Sequence, residues 1–166
     1  MMRRVALCLL LCLVAAEPSP AQAPAPAASA APAAEAFRAR AAAANAAEVE
    51  ASRLALSRSS NARVRSFARR VIREQAAAAR ALGGAAPQAD PRRAAMVAEL
   101  TPLRGRAFDL AYARIQTEVL EQAISLHEAY AGGGADPQLR AFARATLPRL
   151  QQQLAFARRL SDTAAR

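Results

Sequence analysis

The sequence of 166 residues has no lysine and no tryptophan, and its two cysteines, Cys8 and Cys12, both lie near the start of the chain. If this leading segment is removed, the remaining chain has no thiol with which to form a disulfide or a thiolate metal site. The stability of the rest of the chain must then come from packing.

The sequence also lacks the residue patterns of common active sites. His127 is its single histidine, and no Glu-x-x-His motif occurs. A carboxylate-bridged dimetal centre in a four-helix bundle uses that motif on two helices. Nucleophile elbows, phosphate loops and zinc motifs are missing as well. His127 lies at the edge of an apolar helical arc, where a packed residue is expected. We therefore predict no catalytic residue, no cofactor, no metal ligand and no enzymatic activity.

The first 21 residues have the layout of a secretory signal peptide. Two arginines precede an apolar run over residues 5–14, which is too short to span a bilayer. Small residues predict cleavage after Ala16 or Ala21. We expect a mature chain without a transmembrane span, exported to the periplasm or cell envelope.

A proline- and alanine-rich segment follows at residues 22–34, and it shows no periodic apolar face. This composition predicts a disordered tether. The helical bundle domain is then expected at residues 35–163.

All 23 basic residues are arginine, and the formal net charge is +10. Residues 61–82 carry six arginines against the single acidic residue Glu74. These basic helix faces could bind an anionic envelope component or a protein partner. The sequence does not identify the partner. The alternative is that arginine is simply the usual cation on solvated helix faces here. Basic patches alone do not indicate specific nucleic-acid binding.

Helices are predicted throughout the domain, because alanine is abundant while β-branched and aromatic residues are sparse. We expect a short helix begun by Asp90 and Pro91, a kink at Pro148, and four long helices at residues 35–58, 61–82, 106–130 and 137–162. Two short links and one connection of more than twenty residues predict two antiparallel helix hairpins joined by a long crossover. The predicted fold class is therefore an all-α, ferritin-like four-helix bundle.

Three of these helices place one polar residue on the apolar face. At 100° per residue, Gln75 lies close to the apolar line of the second long helix, and Gln153 shares the arc of the last. Glu48 falls among the inward alanines of the first helix. These three residues form the candidate inward polar cluster. We expect Gln75 to hydrogen-bond to Glu48 or to Gln153, as a structural amide pair.

A resemblance to a known family is carried by FRARAAAANAAEVEASRLALSRSSNARVRSFARRVI, GRAFDLAYARIQ and DPQLRAFARATLPRLQQQLAFARRL. Over residues 35–161 the chain resembles the exported bacterial family called domain of unknown function 4142, often labelled as outer membrane proteins. The resemblance implies export and a ferritin-like bundle but no settled activity. Family members commonly carry histidine at the positions of Gln75, Leu120 and Gln153. The resemblance thus implies that any metal or proton-transfer role of those histidines is lost here.

Three functions remain open from the sequence. The first is a non-enzymatic helical domain that acts as an accessory or binding module in the periplasm or envelope. The second is a small-ligand pocket in the bundle core, with Glu48, Gln75 and Gln153 as polar contacts. The third is a ferritin-like metal-binding or redox protein with a degenerate site. We rank them in this order.

Overall fold

The computed structural model describes residues 27–165, which form five helices and no strand. The helices are α1 Ala27–Arg58, α2 Ala62–Ala81, α3 Pro91–Leu100, α4 Gly105–Gly133 and α5 Pro137–Ala165. The predicted all-α bundle with a short crossover helix is confirmed. Within this part of the chain, every helix is too short or too polar to cross a membrane.

The first helix begins at Ala27, eight residues before the predicted start. It includes Pro32 and part of the segment predicted as a disordered tether. Alanine has the highest helix propensity, and Ala34 is buried in a cluster with Phe37 and Tyr130. This packing extends the helix, although Pro32 lacks a backbone donor. The signal peptide and the rest of the tether, predicted over residues 1–26, lie outside the described residues.

The long helices form an up, down, down, up bundle. α1 and α2 are one antiparallel hairpin, α4 and α5 are the other, and α3 packs against α1 and α4 within the crossover. α1 runs antiparallel to α4, because Ser52 meets Tyr112 near one end of the interface and Phe37 meets His127 towards the other. The two predicted hairpins and their long connection are therefore present.

Side-chain caps begin three of the helices. Asn61 Oδ1 accepts a hydrogen bond from the backbone N–H of Arg63 at 2.9 Å, at the start of α2. Asp90 caps α3 in the same way, and Asp136 accepts from two backbone N–H groups at the start of α5. These bonds satisfy donors that have no partner inside the helix.

The ends of the second hairpin differ from the predicted bounds. α4 continues past Tyr130 to Gly133, where Arg144 Nη2 donates to the carbonyl of Ala131 at 2.9 Å. This contact satisfies an acceptor of the last turn. α5 continues through Pro148 and ends at Ala165, beyond the predicted end at residue 162.

The buried apolar residues of α1 are nearly all alanine, and they pack against larger side chains from the neighbouring helices. The buried apolar residues of α1 are Ala34, Phe37, Ala41, Ala43, Ala44, Ala47, Ala51 and Ala55. Because alanine occupies little volume, larger residues of α2 and α4 fill the interior. Among the largest fully buried side chains are Phe67, Phe108, Tyr112 and Ile115.

Candidate functional site

Each long helix places inside the bundle one carboxylate or amide side chain that is at most 2 % exposed. Glu48 lies on α1, Gln75 on α2, Gln116 on α4 and Gln153 on α5. We call these four residues the polar layer. The sequence predicted Glu48, Gln75 and Gln153 as inward polar residues, but it did not predict Gln116.

Gln75 and Glu48 are joined by a direct hydrogen bond. Gln75 Nε2 donates to Glu48 Oε2 at 2.7 Å. Gln153 does not pair with either of them, because its Nε2 donates instead to Oε2 of Glu74, the neighbour of Gln75 on α2. A carboxylate is a stronger acceptor than an amide oxygen, so Gln75 and Gln153 each donate to an acid rather than to the other's amide.

Gln116 lies at the level of Glu48 across the α1/α4 interface. It follows Tyr112 by one helical turn, while Glu48 precedes Ser52 by one turn on the antiparallel helix α1. Both polar side-chain atoms of Gln116 are buried without a hydrogen-bond partner among the described residues. The Oε1 atoms of Glu48, Gln75 and Gln153 are likewise buried without a hydrogen-bond partner among the described residues. Leaving a buried polar group unpaired costs about 1–3 kcal/mol.

The polar layer changes the acidity of Glu48. Burial raises the pKa of its carboxyl group from 4.5 to about 7. The hydrogen bond from Gln75 and the charges of Arg149 and Arg93 act in the opposite direction, towards a lower pKa, while the charge of Glu74 raises it further. Loss of hydration outweighs these partners, so Glu48 exchanges its proton near neutral pH.

A second buried hydrogen bond lies one turn from the polar layer. Ser52 Oγ and Tyr112 Oη are 2.9 Å apart, and both residues are fully buried. Burial raises the pKa of Tyr112 above its usual range, so the phenol remains neutral. The contact joins α1 to α4 by a neutral pair.

His127 is a buried packing residue and not a boundary residue. It is 5 % exposed, and its ring contacts Phe37 in a T-shaped arrangement with centroids 5.3 Å apart. Its Nδ1 lies 2.8 Å from the carbonyl oxygen of Ala123. Burial lowers the pKa of His127, which favours the neutral ring. These contacts suit a structural role.

The residues inside the bundle do not fit a dimetal centre of the ferritin-like kind. The polar layer supplies one carboxylate and three amides, whereas hard metal ions favour several anionic oxygens. Within residues 27–165, no three side chains of His, Cys, Asp or Glu come together as a ligand group. The positive charge of Arg149 near Glu48 further disfavours a cation there.

A groove of about 650 Å³ reaches the polar layer from outside the bundle. It lies between α1 and α2, and Gln75 is one of its lining residues, whereas Glu48 and Gln153 are not. It therefore differs from the core pocket that the sequence suggested, which would have had all three residues in its wall.

A row of arginines covers the solvent side of α2. We call Arg63, Arg69, Arg70, Arg73 and Arg80 the arginine face. All five side chains are exposed, and none forms an ion pair with another described residue. Arg70 also lies over the ring of Phe156 on α5, with its Cζ 5.9 Å from the ring centroid.

Three arginines on α3, α4 and α5 form ion pairs with glutamates. Arg92 binds Glu118, Arg114 binds Glu99 and Arg158 binds Glu121. The charges of these three arginines are therefore compensated, whereas the arginine face of α2 has no ion-pair partner among the described residues.

Comparison with family models matches residues 18–160 to a family described as domain of unknown function (DUF4142). Comparisons with curated proteins and with solved structures gave no match.

Proposed function

We propose that this chain, which belongs to the DUF4142 family, is an exported, non-enzymatic bundle that binds the phosphate groups of an anionic membrane surface. It would act as an accessory or binding module of the cell envelope. The observation that carries this proposal is the arginine face of α2. The signal-peptide pattern of residues 1–21 supports the location.

The arginine face suits an extended anionic surface better than one small anion. Arg69, Arg73 and Arg80 fall within about 40° of one another around α2. The row from Arg63 to Arg80 is about 25 Å long at the rise of an α-helix. A guanidinium group offers a planar set of donors that matches phosphate oxygens. Several phosphate groups can therefore be bound side by side along the helix.

The binding should be electrostatic and reversible. The exposed residues between these arginines are Ser66, Ala76, Ala77 and Ala79, and none of them is a large apolar anchor. Each arginine near an anionic membrane contributes about 1 kcal/mol, so five supply about 5 kcal/mol. This energy corresponds to a dissociation constant on the order of 10⁻⁴ M, and salt should weaken it strongly.

The interior supports a non-enzymatic role. All four residues of the polar layer are at most 2 % exposed, and the Nε2 groups of Gln75 and Gln153 donate to carboxylates of the same bundle. His127 is enclosed by Phe37 and Phe142 and lies against a backbone carbonyl. Groups held in this way stabilise the bundle and are poorly placed to meet a substrate.

The test is sedimentation of the mature chain with lipid vesicles. Vesicles that contain phosphatidylglycerol are compared with vesicles of phosphatidylcholine alone, at about 50 mM and about 500 mM salt. We expect binding to the anionic vesicles at low salt and release at high salt. Failure to bind anionic vesicles at low salt would overturn the proposal.

Two triple variants separate the arginine face from net charge. Arg69→Gln/Arg73→Gln/Arg80→Gln removes three charges from the face. The matched control, Arg92→Gln/Arg114→Gln/Arg158→Gln, removes three charges from exposed ion pairs. We expect the first variant to lose most of its vesicle binding and the control to keep it. An equal loss in both would show that net charge alone is responsible, against the proposed surface.

A further inference from the structure

The groove on the outer side of the α1/α2 hairpin has the size and shape of a small-molecule site. Its volume of about 650 Å³ falls within the usual range of about 300–1,000 Å³. The walls are alanines from both helices together with Val49, Ile72 and Leu82, and the exposed charged residues Glu50 and Arg53 also line the groove. These small apolar side chains leave room for an apolar ligand.

The end of the groove is held in place by the backbone. Ala85 and Pro87, in the segment after α2, border this end. The N–H of the next residue, Gln88, donates to the carbonyl oxygen of Ala39 on α1 at 3.1 Å. The end wall is thus fixed to the helix opposite it.

Gln75 gives the groove an unpaired acceptor. Its Nε2 is bound to Glu48, and the two polar atoms of an amide diverge from a common carbon, so Oε1 is directed away from Glu48. Oε1 is buried without a hydrogen-bond partner among the described residues. Because the residue lines the groove, this oxygen lies beneath the groove surface.

Asn45 gives the groove an unpaired donor. It lies one turn before Glu48 on α1, so it is close to the level of Gln75. Its Nδ2 is buried without a partner among residues 27–165, although the side chain as a whole is half-buried and lines the groove. A rotation of this amide brings the N–H into the groove. Burial without a partner is unfavourable for both atoms, so a ligand that binds them gains affinity.

We propose that the groove binds a small, neutral and mostly apolar molecule that carries a carboxamide or lactam group. The ligand N–H donates to Gln75 Oε1, and the ligand carbonyl accepts from Asn45 Nδ2. A carboxylate would bring its oxygens against Gln75 Oε1, and an ammonium group would face the Asn45 N–H. Neutral groups that both donate and accept avoid these repulsions.

This inference does not depend on membrane binding. The α2 residues that line the groove are Ile72, Gln75, Ala76 and Ala79, with Leu82 at the C-cap of the helix, and none belongs to the arginine face. Failure of one proposal therefore leaves the other in place.

The test uses three probes of similar length, measured by titration calorimetry with the mature chain. Octanamide has both a donor and an acceptor, N,N-dimethyloctanamide has no donor, and octanoate is an anion. We expect octanamide to bind at least about tenfold more tightly than either analogue, since one hydrogen bond distinguishes them. No octanamide binding up to its solubility limit, or equal binding of all three probes, would overturn the inference.

Neighbouring alanines on α2 provide matched variants. Ala76 lines the groove, whereas Ala77 is exposed and does not line it. We expect Ala76→Phe to abolish octanamide binding and Ala77→Phe to leave it unchanged. Asn45→Leu should weaken binding about tenfold by removing the donor. Equal affinity of the two phenylalanine variants would place the probe elsewhere and reject the site.

Discussion

Gln75 on α2 donates a hydrogen bond to the buried carboxylate of Glu48 on α1 at 2.7 Å. The bond links the two helices of the first hairpin at a point where neither side chain reaches solvent. When Glu48 is ionised, the bond also determines the orientation of the amide, because only the nitrogen can donate to a carboxylate. The oxygen of Gln75 is left buried without a hydrogen-bond partner among the described residues.

The raised pKa of Glu48 should make the stability of the bundle depend on pH. The unfolded carboxyl group loses its proton near pH 4.5, whereas the folded group keeps it until about pH 7. The folded state favours the neutral form of Glu48. The stabilisation that this form gives is therefore complete below about pH 4.5, and it is lost as the pH rises to about 7. We expect the free energy of unfolding to fall by on the order of 3 kcal/mol over this interval.

Denaturant unfolding of Glu48→Gln measures this contribution. The variant keeps an acceptor for Gln75 but cannot titrate, so the difference between it and the native chain should follow the expected pH curve. Glu50→Gln is the control, because Glu50 is exposed on the same helix. If both variants retain the native pH dependence, Glu48 is not the group responsible.

The bond between Ser52 and Tyr112 should contribute measurably to stability. Ser52→Ala and Tyr112→Phe each leave a buried hydroxyl group without its partner, at a cost of about 1–3 kcal/mol. The double variant should lose less than the sum of the single losses. We expect a coupling energy of about 1 kcal/mol in a double-mutant cycle from chemical denaturation. Additive losses would mean that the two hydroxyl groups do not interact.

Metal binding should be sub-stoichiometric. The polar layer offers a single carboxylate, and the charge of Arg149 acts on it. After exposure of the mature chain to Fe, Mn or Zn and removal of free metal, elemental analysis should find far less than one ion per chain. Stoichiometric retention that Glu48→Gln abolishes would restore the metal-binding hypothesis.

Processing of the amino terminus should follow export. We expect the chain recovered from the cell envelope to begin at Glu17 or Gln22, as determined by mass spectrometry of its first peptide. The changes Ala16→Arg and Ala21→Arg together should block cleavage, because the enzyme that removes signal peptides requires small residues. An intact amino terminus in the native chain, recovered from the cytoplasm, would contradict the predicted location.

The helices were predictable because their signals are local. Asn61, Asp90 and Asp136 each precede a helix and cap it through neighbouring backbone groups. The start of α1 was missed because it depends on the burial of Ala34 in a cluster that includes distant residues of α4 and α5. Local composition alone could not show that contact.

The polar layer was predictable only in part. Glu48, Gln75 and Gln153 lie close to the apolar lines of their helices, and periodicity therefore selected them. Gln116 was not selected, although its position one turn after the buried Tyr112 was a usable signal. The bond from Gln153 to Glu74 was not predictable, because it depends on how closely α5 approaches α2.

The buried alanines of α1 tolerate the loss of side-chain volume better than its gain. An alanine side chain has no rotamers to lose on burial, so it packs without an entropic penalty, but it also contributes little area. No single truncation there can remove much stabilisation. Added methylene groups at a fully buried position such as Ala55 would instead press against close-packed neighbours, at a cost of about 1–3 kcal/mol. The substitutions that α1 tolerates at its buried alanines are therefore limited by side-chain size more than by a need for particular contacts.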